Sequence, residues 1–250
     1  MRLPRQFRPG LVPSLAVAVL LPLFLTMGYW QLQRAEEKRE LQAEYDARAA
    51  GLTIKVEARV QRPEELQFYR VIARGYYETG YQVLVDNRVH QGQAGYEVIT
   101  PLRLPDSDVR LLVNRGWVPL GEDRSHLPAI DPPGGLQEIV GVATVPSEKN
   151  FMLARPEPLE RGWQLVWQNM DMARYRAAVP FPVQPVVVLL DPESPAGGFI
   201  REWSRLNAGI AVHKGYAFQW FMLAVGLVVI YFFMSLRRDG AKQQEEEEKS

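Results

Sequence analysis

His213-Lys214-Gly215-Tyr216-Ala217-Phe218-Gln219-Trp220-Phe221 opens an apolar run that closes at Leu236, and its reading decides the fold. From Gly215 to Leu236 no side chain carries a formal charge. At about 1.5 Å per helical residue the run measures about 33 Å, enough to cross the hydrocarbon core of a bilayer. The stretch 213–236 therefore predicts a transmembrane helix. His213 stands two residues outside the uncharged run, where the helix leaves the hydrocarbon, and Tyr216, Ala217 and Trp220 lie within two turns of it on nearly one face.

A second apolar run lies at the other end of the chain. Arg2, Arg5 and Arg8 precede uncharged sequence from Pro9 to Gln33, which offers either a secretory signal or a retained anchor. The run exceeds a usual signal h-region and no small-x-small cleavage site follows it, so 11–33 is read as a first transmembrane helix, with Pro13 and Pro22 as candidate kinks. The short 1–10 segment leaves no room for an Arg-rich mitochondrial presequence, which points to a bacterial inner membrane. Arg237, Arg238 and Lys242 follow the last helix, so both ends carry the positive flanks that stay in the cytoplasm. By that rule 1–10 and the charged tail 237–250 are cytoplasmic, Glu245–Glu248 being solvated, and everything between the two helices is periplasmic.

The rest of the composition narrows the chemistry. Among 250 residues there is no cysteine, which excludes disulfides, thiolate metal sites and covalently attached c-type haem. The seven methionines form no cluster that would replace thiolates for copper. A formal net charge of zero gives no electrostatic case for nucleic acid.

Between the helices, 34–51 is rich in Ala, Glu, Arg, Lys and Leu and predicts a helical stalk that Gly51 stops. The region 52–212 reads as strands. Gln67–Tyr77 and Tyr81–Arg88 predict a hairpin through Glu78-Thr79-Gly80, and Tyr96–Leu104 and Val109–Val118 a second, turned by Pro105-Asp106-Ser107-Asp108. Gln137–Val145, Trp163–Gln168 and Val183–Leu190 complete about seven strands, and Asp171–Ala178 predicts a short helix stopped by Pro180. The expected fold class is an α+β membrane protein, two transmembrane helices flanking one extracytoplasmic β-rich domain of barrel or sandwich type.

Enzyme signatures are thin. Ser125 and His126 with Asp123 or Asp131 supply the residue types of a membrane-tethered hydrolase, without a Gly-x-Ser-x-Gly elbow. Only His90, His126 and His213 exist, none paired at metal-ligand spacing, and His90 reads as a surface residue of a hairpin connection. For His213 two readings stand. An interfacial ring bridging water and headgroups is one. The other is an imidazole ligand to haem iron, with Tyr216 and Trp220 along the macrocycle and Arg205 and Lys214 as cations for carboxylates. Trp30, Arg34 and Lys38, spaced by four, share a face of the first helix; an interfacial tryptophan followed by snorkelling cations accounts for them equally well.

Four blocks together resemble the surfeit-locus protein 1 family, the assembly factors of haem-copper cytochrome c oxidase. They are Gly28-Tyr29-Trp30-Gln31-Leu32-Gln33-Arg34 with Lys38, Gly95-Tyr96-Glu97-Val98-Ile99-Thr100-Pro101, Val113-Asn114-Arg115-Gly116-Trp117-Val118-Pro119, and His213-x-x-Tyr216-Ala217-x-Gln219-Trp220-Phe221. Their order and spacing span nearly the whole chain. Lys214 stands where the family commonly has Leu, and 206–212 lacks the Pro/Asn-rich approach often seen there.

The resemblance implies a non-enzymatic factor that binds haem a non-covalently and transiently and promotes its insertion into oxidase subunit I. It implies partners in subunit I, the enzyme that makes haem a, and the bilayer. Carried over by position, His213 is the axial ligand and Gly28, Trp30, Arg34, Arg115, Gly116 and Trp117 are structural or partner-facing; the residues themselves, with Gly28 letting the helices approach, suggest Tyr216, Trp220 and Trp30 as the lining of a cleft around His213. A haem-independent scaffold that clamps subunit I is the alternative.

Overall fold

The computed structural model describes residues 5–121, 126–146, 162–203 and 209–238. It divides into two compact units, one of residues 1–42 with 205–250 and one of 43–204. Asp123, Ser125, Arg205, Arg2 and Lys242 from the expectations above lie outside the described residues.

The first unit is a helix pair. Helix α1 runs Leu11–Ala49 and helix α4, the last in the chain, runs Ile210–Ser235; both are long and apolar enough to cross a membrane. Along α1 the less exposed positions include Ser14, Val17, Leu21, Phe24, Gly28, Gln31, Ala35, Lys38 and Gln42, an alternation of three and four. Along α4 they include Ile210, His213, Ala217, Trp220, Ala224, Leu227 and Tyr231. A repeat of 3.5 residues falls short of the helix's own 3.6, so such seams meet with a shallow left-handed crossing of about 20°. The contacts run in opposite directions along the two helices. Ser14 Oγ meets Tyr231 Oη at 2.8 Å, the Phe24 and Trp220 rings lie 5.7 Å apart, and Gln31 meets His213 at 2.7 Å. The pair is antiparallel.

Strand β1 (Arg5–Phe7) precedes α1, and the last strand, β10 (Leu236–Arg238), follows α4; the two pair antiparallel. Phe7 stacks on Phe232 and meets Tyr231 edge-on, so rings close this end of the unit.

The second unit begins with the last turns of α1, where Tyr45 packs edge-on against Phe68 and Arg48 donates to the Gln67 carbonyl. Its elements are β2 (Ile54–Lys55), α2 (Pro63–Leu66), β3 (Arg70–Tyr77), β4 (Val83–His90), β5 (Gln93–Arg103), β6 (Arg110–Pro119), β7 (Gln137–Thr144), β8 (Val166–Trp167), α3 (Met172–Ala178) and β9 (Val183–Leu190). Strands β3, β7, β9, β6 and β5 pair in that order, and β5 returns to β3 through Tyr76↔Arg103 and Tyr77↔Leu102, closing a barrel. Strand β5 is long enough to serve two neighbours, its far end pairing with β4, which carries β8 outward. Side-chain alternation then separates two of the domain's cores. Leu111, Val113, Val186 and Val188 join Val71, Leu102 and Ile139 in one. Leu112, Val183 and Val187 point the other way, onto Trp167, Met172 and Tyr175.

The β5–β6 hairpin forms as its Pro-Asp-Ser-Asp turn predicts: Asp106 takes φ 53°, and Ser107 Oγ accepts from Val109 N. Helix α3 is capped by Asp171, whose side chain accepts from Arg174 N. The expected β3–β4 hairpin does not form. Strand β3 goes to β2, β5 and β7, and β4 pairs with β5 through a turn at Gln91-Gly92, because barrel closure claims both edges of β3. The strand expected over 163–168 is reduced to Val166–Trp167.

Candidate functional site

In the helix-pair unit His213 sits in the first turn of α4, its backbone N–H donating to Gly209, a residue whose φ of 103° starts the helix from the left-handed region. The half-buried ring places Nδ1 2.7 Å from Gln31 Oε1. An amide oxygen only accepts, so this contact favours the proton on Nδ1, the tautomer that leaves the Nε2 lone pair for another partner. Gln31 stands in the sequence inside Gly28–Arg34, but nothing in its spacing connects it with a residue 182 positions later. Seam geometry makes the connection.

Around this pair, Ala217 is buried on the next turn of α4, and Trp220 packs on Phe24. Gly28 faces Phe221: a Cβ there would lie 2.8 Å from the ring, so the glycine provides a socket for an aromatic knob. Trp30 falls outside the seam. It is 45% exposed, with the Arg34 guanidinium 5.9 Å from its ring, and Arg34 itself bonds Glu37 at 2.7 Å. Tyr216 is likewise exposed, so His213 and Trp220 lie on the seam of α4 whereas Trp30 and Tyr216 stand on outer faces of their helices.

Arg115, Gly116 and Trp117 belong to the β domain, where packing within the domain accounts for each. Arg115 is 1% exposed on β6. It donates to the Ile130, Asp131 and Gly197 carbonyls and lies between the Tyr77 and Phe199 rings, at 5.4 and 4.9 Å. Burial pulls its pKa below the usual arginine value, with Tyr77 and Asp131 opposing. One guanidinium thus fastens two loops to the barrel. Gly116 takes φ 121°, and a Cβ would lie 2.7 Å from the Ile200 carbonyl, against which Trp117 N bonds at 2.7 Å. Trp117 is buried and donates through Nε1 to the Arg88 carbonyl.

His90 is not the surface residue expected. Its ring lies 5.1 Å from Trp117, and its Nε2 is 3.9 Å from Glu202. These residues, with Arg88 and Glu97, line a cavity of about 350 Å³. Its charges are answered locally, Arg88 by Glu97 at 3.7 Å and Glu97 by Asn114 at 2.9 Å. No cluster of three metal-ligating side chains occurs among the described residues.

Comparison with known proteins places this geometry in a family. The chain is 25% identical over 224 residues to a SURF1-like protein of Rickettsia felis, covering 87% of this chain and 94% of that one. It is 24% identical to Surfeit locus protein 1 of Mus musculus over 227 residues, 85% of this chain and 72% of that one. Against the Homo sapiens protein of the same name the identity is 24% over 238 residues, covering 88% and 77%. The SURF1 family matches residues 18–225, from within the first membrane helix, through the barrel and past the His213–Gln31 pair, and the chain belongs to that family.

Proposed function

We propose that this chain is a non-enzymatic assembly factor for haem-copper cytochrome c oxidase, receiving haem a and promoting its insertion into catalytic subunit I. The observation that supports the reading is the His213 ring, whose Nδ1 is engaged by Gln31, which leaves the Nε2 lone pair as its donor. A neutral imidazole held through its second nitrogen is what haem iron asks of a protein ligand, so the donor chemistry fits. His213 would hold the cargo by its iron. Trp220 and the α4 seam supply apolar surface, Trp30 and Tyr216 add exposed aromatic surface on the two helices, and Arg34 is a cation on the Trp30 face. The haem supplies the redox centre that the oxidase uses; the chain's part is to bind it reversibly and keep it from water.

In this reading both termini are in the cytoplasm of a bacterium, the helices cross the inner membrane and the β domain is periplasmic, a topology that the arginines flanking the two spans support. The enzyme that makes haem a is the proposed donor.

One observation favours a second reading. A polar pair inside a membrane helix seam also holds helices together, by about 0.6–2 kcal/mol in model systems, and in a haem-independent scaffold that would be the whole role of His213. The visible spectrum separates the two. Full-length chain purified from cells making haem a is expected to carry Soret and α bands that His213→Ala loses or shifts, with less haem in the oxidase. Full bands and full oxidase activity in His213→Ala would leave the scaffold. Loss of function in His126→Ala or Ser125→Ala with the bands intact would point instead to the hydrolase.

A further inference from the structure

We infer that Gln31 is a positioning residue that selects Nε2 of His213 as the ligating atom and limits how strongly it binds; the inference rests on the proposed haem function. A histidine ring offers two nitrogens, and which of them carries the lone pair is set by the hydrogen bond the other makes. Free in water, a neutral imidazole side chain favours the proton on Nε2, which would leave the wrong atom facing outward. Here the 2.7 Å contact with Gln31 Oε1 holds the proton on Nδ1. Gln31 is itself fixed, because it occupies a seam position on α1 between Gly28, filled by Phe221, and the buried Ala35.

The chemical identity of the partner matters as much as its place. Carboxylates and carbonyls that accept from a ligand histidine raise its basicity, a carboxylate most strongly, and removing such a partner typically lowers metal affinity about 10–100-fold. An amide oxygen is a weak acceptor of this kind. It orients the ring without pushing it toward imidazolate, so the iron is held by a modest donor, which suits a protein that must release its cargo. Glutamate at the same position would orient the ring equally well and hold the iron more tightly.

The first test needs no haem. In full-length chain labelled with ¹⁵N-histidine, in detergent at alkaline pH, the His213 resonances are assigned by their loss in His213→Ala. The Nδ1–H tautomer is expected to dominate, and Gln31→Leu, which keeps the volume and removes the acceptor, to shift it toward Nε2–H. A wild-type ring already carrying its proton on Nε2 overturns the inference. The second test titrates haem a into the same proteins. Gln31→Leu is expected to weaken binding about 10–100-fold, and Gln31→Glu to bind more tightly than the wild type while moving the iron midpoint potential negative. If Gln31→Leu binds with wild-type affinity and bands while His213→Ala does not bind, Gln31 has no positioning role and the axial-ligand reading stands. Wild-type binding by His213→Ala overturns the haem reading itself, whatever the tautomer.

Discussion

The Arg115 guanidinium lies 5.4 Å from the centroid of the Tyr77 ring, and the buried Tyr77 hydroxyl meets no hydrogen-bond partner among the described residues. Burial, opposed by Arg115 and Arg201, pushes that phenol up to about 12 from its ordinary 10. A raised phenol pKa means the folded chain favours the protonated form. Its contribution is therefore complete below about pH 10 and is lost as the pH climbs toward about 12. Tyr77→Phe removes an orphaned hydroxyl, so the chain is expected to melt at the same temperature or slightly higher at neutral pH, and to lose less stability between about pH 10 and 12. Tyr175 is also raised by burial, but its hydroxyl donates to the Tyr81 carbonyl at 2.9 Å. Tyr175→Phe is expected to cost about 1–2 kcal/mol at neutral pH. Thermal melts of the detergent-solubilised chain, followed by near-ultraviolet circular dichroism, compare the two.

Arg115 fastens the 130–131 and 197–199 segments to the barrel through neutral carbonyl acceptors. Arg115→Leu fills similar volume yet strands those carbonyls, at an expected cost of about 3 kcal/mol or more. Arg115→Lys should not rescue it, since an ammonium cannot reach three acceptors in the planar fork that Arg uses. Cellular abundance and melting temperature read this directly, and an Arg115→Lys chain that melts like the wild type contradicts the fastening role.

What the sequence discloses and what it withholds follow from the range of each signal. The two spans are legible because a long uncharged run has few other solutions, and the β5–β6 hairpin because its turn residues are contiguous. The β3–β4 region misleads for the same reason in reverse: Glu78-Thr79-Gly80 looks local, but both edges of β3 are taken by strands distant in sequence. Arg115 stands out as a motif residue, while its burial depends on carbonyls from two loops that carry no motif of their own. Gln31 is the instructive omission. A polar residue in a helix reads as surface until the 3.5-residue seam is traced on both helices, and only the pairing of those seams brings it to His213.

Gly28 provides a second check on that seam. Because the chain contains no cysteine, Ser14→Cys with Tyr231→Cys gives a clean pair for a short bifunctional thiol crosslinker, at a position where the native Ser14 and Tyr231 hydroxyls meet at 2.8 Å but the shorter cysteines stand too far apart for a disulfide. A Cβ at 28 would lie 2.8 Å from the Phe221 ring, and Gly28→Leu would add three carbons beyond it. Crosslinking is expected to fall several-fold in Gly28→Leu and to recover when Phe221→Ala makes room. Recovery matters more than loss, because it distinguishes a local clash from general misfolding. Equal crosslinking in all three chains would mean that the ring is free to move aside.

The last prediction concerns topology. Strand β1 enters α1 and strand β10 leaves α4, and the two pair antiparallel with Phe7 opposite Leu236, so the two flanks emerge at the same end of the helix pair. Helix α1 ends at Ala49, with Gly51 N closing its last turn on the Arg48 carbonyl, so a fusion after Gly51 reports the far end of α1. In the proposed orientation the flanking arginines keep the shared end in the cytoplasm. A reporter active only outside the cytoplasm is expected to work when fused after Gly51 and to fail after Gln244, and a cytoplasmic reporter to give the reverse. Replacing Arg237 and Arg238 with Gln tests which feature sets the orientation. If the paired flanks act as a unit with Arg5 and Arg8, the double variant keeps its orientation, because the N-terminal charges still hold that end inside. Cytoplasmic activity from the Gly51 fusion of the unaltered chain would put the β domain on the cytoplasmic side and overturn the proposed transfer of haem at the periplasmic face.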